Sequence, residues 1–170
     1  MRDDTEGSGP PATGARLPWT GWALTLPGVA GAAMSNVDFS GPHAYISMPA
    51  AAQELPGARA ELRRWAREVQ FAVDQMDDVV LAVDEAVANA VEHAYPRQGG
   101  RLGVVTVFAG RALGGAEAYV VVSDTGHWRP PADDPGFRGR GVSMMKALAD
   151  RFDLHHDESG TTVLLAWNPR

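Results

Sequence analysis

From Gln75 to Tyr95 apolar residues recur at intervals of three and four: Met76, Val79, Val80, Val83, Val87, Ala90 and Val91. At 100° per residue these positions fall on one side of a helix of about six turns. A valine-rich stripe of that length must be covered, and the strand-like segments downstream predict that a sheet covers it. Asp74, with Asp77 three residues on, is placed to cap the start of this helix, and Pro96 ends it. The opposite side holds Glu85 and Asn89 one turn apart, with Asp78 and Glu92 in line. Leu81, Ala82 and Ala88 share that side. It reads either as a solvated face or as a surface that something else covers.

The rest of the chain supplies the sheet. Residues 43–49 alternate weakly and predict a strand at a sheet edge. Residues 54–72 place Leu55, Ala58, Leu62, Trp65, Ala66 and Val69 on one helical stripe, with Pro56 suited to the first turn. Residues 102–109 and 116–123 flank the turn "GRALGG" as a hairpin. A loop rich in Gly, Pro and Asp follows over 124–139, then a helix over 140–150 and a second hairpin to the end. The order β-α-α-β-β-loop-α-β-β predicts an α+β fold, a mostly antiparallel sheet with helices on one face.

Composition narrows the function. Of 170 residues 45% are hydrophobic and 21% charged, so one soluble domain is expected. The net charge of −6 gives no electrostatic case for nucleic-acid binding. With no cysteine there is no disulfide framework or thiolate chemistry, which fits a cytoplasmic location. No apolar run reaches the roughly 18–20 residues of a membrane span. Residues 16–35 follow signal-peptide order, but Pro18 and Pro27 interrupt them behind an acidic lead-in. Residues 1–33, rich in Gly, Pro and Ala without a sustained period, read as a disordered extension or a misplaced start, with Met34 opening the domain over 34–170.

Two further motifs carry chemistry. In "VVVSDTGHW" Asp124 follows an apolar strand directly, with Gly126 two residues on. A carboxylate there can accept a hydrogen bond from an exocyclic amine, although Asp and Gly also fill ordinary turns. In "RGRGVSMMKAL" Gly139 and Gly141 open a helix whose N-terminal amides can hold an anion, with Arg138 and Arg140 as cationic forks. His155 and His156 are neighbours on a strand and point to opposite faces, which argues against a shared metal.

Glu-x-x-x-Asn on a helix, Asp-x-Gly after a strand and a glycine pair opening a later helix, in this order, resemble the GHKL ATPase superfamily. The resemblance spans residues 43 to 167 and is closest to the small bacterial anti-sigma-factor serine/threonine kinases. "LAVDEAVANAVEHAY" is similar to their N-box, "DTGHWRPPADDPGFRGRG" to a compact nucleotide loop and "GTTVLLAW" to their final strand. It implies a two-layer α/β sandwich of the GHKL (Bergerat) type that binds ATP and Mg²⁺. Asn89 would ligate the metal, and Asp124 would read the adenine amino group with Gly126 beneath the base. Gly139 and Gly141 would cradle phosphates, and Thr162 would lie near the adenine. Glu85 would be the general base. Arg138, one place from the family's position, or Arg140, three places away, would touch the γ-phosphate. Trp128 stands where the family often has a second glycine. The implied partners are a sigma factor and an anti-anti-sigma antagonist with a STAS-like fold, met by a homodimer. The alternative is a nucleotide-binding module that sequesters a regulator without phosphoryl transfer.

Overall fold

The computed structural model describes residues 18–93, 103–126 and 140–170. Two short helices come first, α1 (Thr20–Ala23) and α2 (Gly28–Ser35). Strand β1 (Ala44–Pro49) and a 3₁₀ turn (Ala52–Glu54) lead into α3 (Leu55–Val69) and α4 (Val73–His93). Then come β2 (Val104–Arg111), β3 (Ala118–Asp124), α5 (Arg140–Leu148), β4 (Arg151–Asp157) and β5 (Gly160–Trp167). The five strands form one antiparallel sheet in the order β1-β2-β3-β5-β4, so β1 does lie at an edge. This is the α+β architecture expected from the hairpins.

Alternation along each strand divides the sheet into two faces. The helix face takes Val105, Val107, Val120, Val122, Val163 and Leu165 into a core with α3, α4 and α5. The α4 stripe lies against it as its period requires: Val79, Val83 and Val87 are buried. Trp65 and Trp167 fill the ends of this core, their indole N–H groups donating to the carbonyls of Pro42 and Leu148. Asp74 does not cap α4. The helix begins one residue earlier, with Met76 N–H donating to Ala72 O, so Asp74 sits in the first turn, where a carboxylate still favours the dipole. The side-chain amide of Gln75 then ties this start to the chain end, bonding Asn168 O and Arg170 N.

The opposite face carries a second core, to which residues 18–33 of the expected disordered extension contribute. Residues 18–37 form an arm across the sheet, burying Trp19, Ala30, Met34 and Val37 against Phe108, Tyr119, Val121 and Leu164. Trp19 stacks on Phe39 at 5.7 Å and tilts against Phe108 at 5.9 Å. Tyr119 Oη donates to Ala33 O, and Trp22 Nε1 donates to Ser123 Oγ at 2.6 Å. The aromatic side chains, rather than any helical period, hold this segment in place. Residues 1–17 lie outside the described residues.

Candidate functional site

Glu85 and Asn89 lie on the α4 side away from the stripe, both half-buried. What covers them is the start of α5. A Cβ built at Gly141 would come within 3.0 Å of Glu85 Oε2 and 3.2 Å of Asn89 Nδ2. The first turn of α5 is therefore seated on the Glu–Asn pair, and glycine is what allows the backbone to come so close. A helix N-terminus presents unpaired N–H groups and a partial positive charge at that point. Glu85 is raised above the usual carboxylate range by burial first, with the Asp84 and Glu92 charges adding to it. Asp84 is itself gripped by Arg59 of α3, whose Nη2 reaches the two carboxylate oxygens at 2.8 and 2.7 Å.

Asp124 ends β3 on the helix face, buried, and its Oδ1 accepts the Gly126 N–H at 2.8 Å. Burial pushes its carboxyl upward, opposed by backbone hydrogen bonds from Gly126 and Thr161. A carboxylate has about four lone-pair sites, so acceptor capacity remains for a ligand amine. The first residue of β5 packs directly under Asp124: Gly160 has φ +141°, and a Cβ there would fall 1.9 Å from Asp124 O.

The tandem threonines separate across the sheet. Thr161 pairs with Asp124, while Thr162 pairs with Ser123 and His155. Thr162 therefore faces the arm. Thr161, which the resemblance passed over, is the threonine on the Asp124 side. Both are buried, so exposure could not distinguish them.

Of the remaining expected site residues, Arg138, Gly139 and Trp128 lie outside the described residues. Arg140 opens α5. The structure thus brings Glu85, Asn89 and Gly141 together, places Asp124 and Gly126 at the end of β3 on the same face, and turns Thr162 toward the arm. The donor set suits the implied ligands. The carboxamide oxygen of Asn89, with a carboxylate one turn away, offers the hard oxygen atoms that Mg²⁺ prefers, and the α5 start offers amides to phosphate.

Comparison with known proteins agrees with this arrangement. Residues 48–167 match the histidine kinase-like ATPase domain family, and the chain belongs to that family. Among curated proteins it is similar to the serine-protein kinase RsbW of Bacillus mycoides (strain KBAB4), 27% identical over 135 residues, covering 71% of this chain and 81% of that one. RsbW of Bacillus thuringiensis (strain Al Hakam) matches over the same shares at 26% identity. Among solved structures, the RsbU and RsbW domains of Rv1364c from Mycobacterium tuberculosis superpose with a TM-score of 0.58 at 29% identity. That match covers 75% of this chain and 32% of the other. The resemblance to GHKL-type anti-sigma-factor kinases is thus shown, and the family is one of ATP-using domains. The arm over residues 18–37 falls outside the matched span. Among the described residues no helix is long and apolar enough to cross a membrane.

Proposed function

We propose that the protein is an ATP-dependent serine/threonine kinase that acts as an anti-sigma factor. Its substrate would be a serine or threonine hydroxyl on an anti-anti-sigma antagonist with a STAS-like fold. Phosphorylation would release that antagonist and leave the kinase free to hold a sigma factor in a cytoplasmic partner switch, with the kinase working as a homodimer. The observation that carries this reading is the seating of the α5 start on Glu85 and Asn89.

Each residue has a role that follows from its position. Asn89 would hold Mg²⁺, which neutralises charge on the triphosphate when bound. The α5 amides beside it would bind phosphate oxygens. Asp124 would accept from the adenine amino group, selecting ATP over a nucleotide that presents a carbonyl there. Glu85 would take the proton of the attacking hydroxyl as its oxygen bonds to the γ-phosphorus and ADP leaves. A carboxylate raised above its ordinary value is a stronger base.

Two measurements test the proposal in order. Mg-ATP at about 100 times its dissociation constant should stabilise the protein by roughly 2.7 kcal/mol, seen as a higher unfolding midpoint that Asn89→Ala abolishes. Radiolabel should then pass from γ-labelled ATP to a cognate antagonist, and Glu85→Ala should prevent it. Tight ATP binding without transfer to any antagonist would instead favour a module that sequesters its partner, a reading that Trp128 at the expected glycine position supports.

A further inference from the structure

The arm face of the sheet carries a feature that the kinase reading does not use. On this face one transverse row of residues is polar on every strand. Ser47 on β1 pairs with Thr106 on β2, Thr106 with Ser123 on β3, Ser123 with Thr162 on β5, and Thr162 with His155 on β4. Four of these five, Thr106, Ser123, Thr162 and His155, floor a cavity of about 350 Å³. Its wall is α1 and the link to α2, contributing Trp22, Thr25, Leu26 and Pro27. The Trp22 indole stands with its N–H on Ser123, so the ring rises from the row rather than lying flat on it.

We propose that this cavity is a second ligand site, built for an uncharged heteroaromatic molecule of nucleoside type. Its volume lies at the lower end of the range for small-molecule pockets, roughly 300–1,000 Å³. Side chains in the row repeat at the strand spacing of about 4.8 Å, presenting hydroxyls that either donate or accept along one line. That line matches the hydrogen-bonding edge of a planar ring whose face rests on Trp22, Leu26 and Pro27. Charge selects against anions. Among the described lining residues there is no Lys or Arg, and Asp157 closes one end. Asp157 is held down to about 2 by hydrogen bonds from Ser159 and His155, so it is ionised at neutral pH. The inference does not rest on the kinase reading: neither Glu85 nor Asn89 lines the cavity, although Asp124 and Thr125 border it. The two sites are nonetheless adjacent through the backbone, since Ser123 precedes Asp124 and Thr162 follows Thr161.

The test is a titration of the full chain with uridine, followed by the indole and backbone N–H resonances in ¹H–¹⁵N spectra. Uracil has no exocyclic amine for Asp124 to read, so binding in the ATP site does not mimic the result. Saturable shifts of the Trp22 indole and of the Thr106, Ser123 and Thr162 amides are expected. Binding should weaken about tenfold in Thr106→Val/Thr162→Val, which keeps shape and removes two hydroxyls. Uridine monophosphate should bind more weakly than uridine. Trp22→Phe, which keeps an apolar ring in the wall, should still bind and serves if the double variant does not fold. The proposal is overturned by any of three results: no saturable shift at millimolar uridine, shifts confined to residues around Glu85 and Asn89, or tighter binding of the monophosphate.

Discussion

The two faces of the sheet are covered in opposite ways. On the helix face, α3, α4 and α5 supply long amphipathic elements, and the polar side of α4 faces the start of α5 with Glu85 and Asn89. On the arm face, two helices of four and eight residues and a cluster of aromatic rings do the covering. The first cover carries the Glu85–Asn89 pair and lies within the span shared with the family. The second lies before that span and closes a surface that would otherwise expose Phe108, Val121 and Leu164. One layer of backbone therefore separates a helical cover that adds a polar pair to its buried core from an aromatic one built by the arm. Perturbing one should leave the other largely intact, because distant sites without shared partners act additively.

The largest expected departure is on the helix face. Glu85→Gln keeps shape and removes the base, and phosphoryl transfer should fall by about 10²–10⁴-fold while Mg-ATP still raises the unfolding midpoint. In the wild type, transfer should rise with pH as Glu85 loses its proton. Because its carboxyl is raised, half-activity should fall above the ordinary glutamate value of about 4.3. The same shift has a stability sign: between the unfolded and folded values the native state binds more protons, so stability falls as pH rises through that window and is level above it. A pH–rate profile with its acid limb at or below the ordinary value would remove Glu85 from this role.

Next in size is Gly160→Ala, which acts where the two faces share backbone. Its φ of +141° and the 1.9 Å approach to Asp124 O leave no room for a methyl group. A loss on the order of 4 kcal/mol is expected, read by chemical denaturation, together with weaker ATP binding as the end of β3 shifts. Trp19→Ala should cost somewhat less, about 3 kcal/mol, by opening the aromatic cluster on the arm face. Its Mg-ATP stabilisation should match wild type. If nucleotide binding were lost as well, the two covers would be coupled and the comparison would fail.

How much of this was legible in the sequence followed the same division. The α4 stripe follows from a period of 3.6 sustained over a long run, the hairpins from apolar runs that flank turn residues, and the edge position of β1 from its weak alternation. Glu85 and Asn89 stood out because they share one side of α4 with small apolar residues. The arm was not legible, since helices of four and eight residues are too short to display a period and Gly and Ala dominate them. α4 starts at Val73, two residues before the expected Gln75, because an Asp suits the first turn as well as the cap.

The parity of β5 was hidden for a different reason, and it yields the smallest prediction. Every residue from Gly160 to Trp167 is buried, because both faces of this central strand are covered. A strand buried on both sides reads as a continuous apolar run, so nothing in "GTTVLLAW" says which threonine points where. Pairing decides it: Thr161 opposite Asp124, Thr162 opposite Ser123. Valine has nearly the shape of threonine, so each substitution removes one hydroxyl and little else. Thr161→Val should weaken ATP binding by roughly fivefold, the equivalent of one hydrogen bond of about 1 kcal/mol, measured by calorimetry. Thr162→Val should leave ATP affinity where it was, since its hydroxyl faces the arm. The reverse pattern would mean that the strand sits one residue out of register in solution, which would carry every side chain of β5 to the other face.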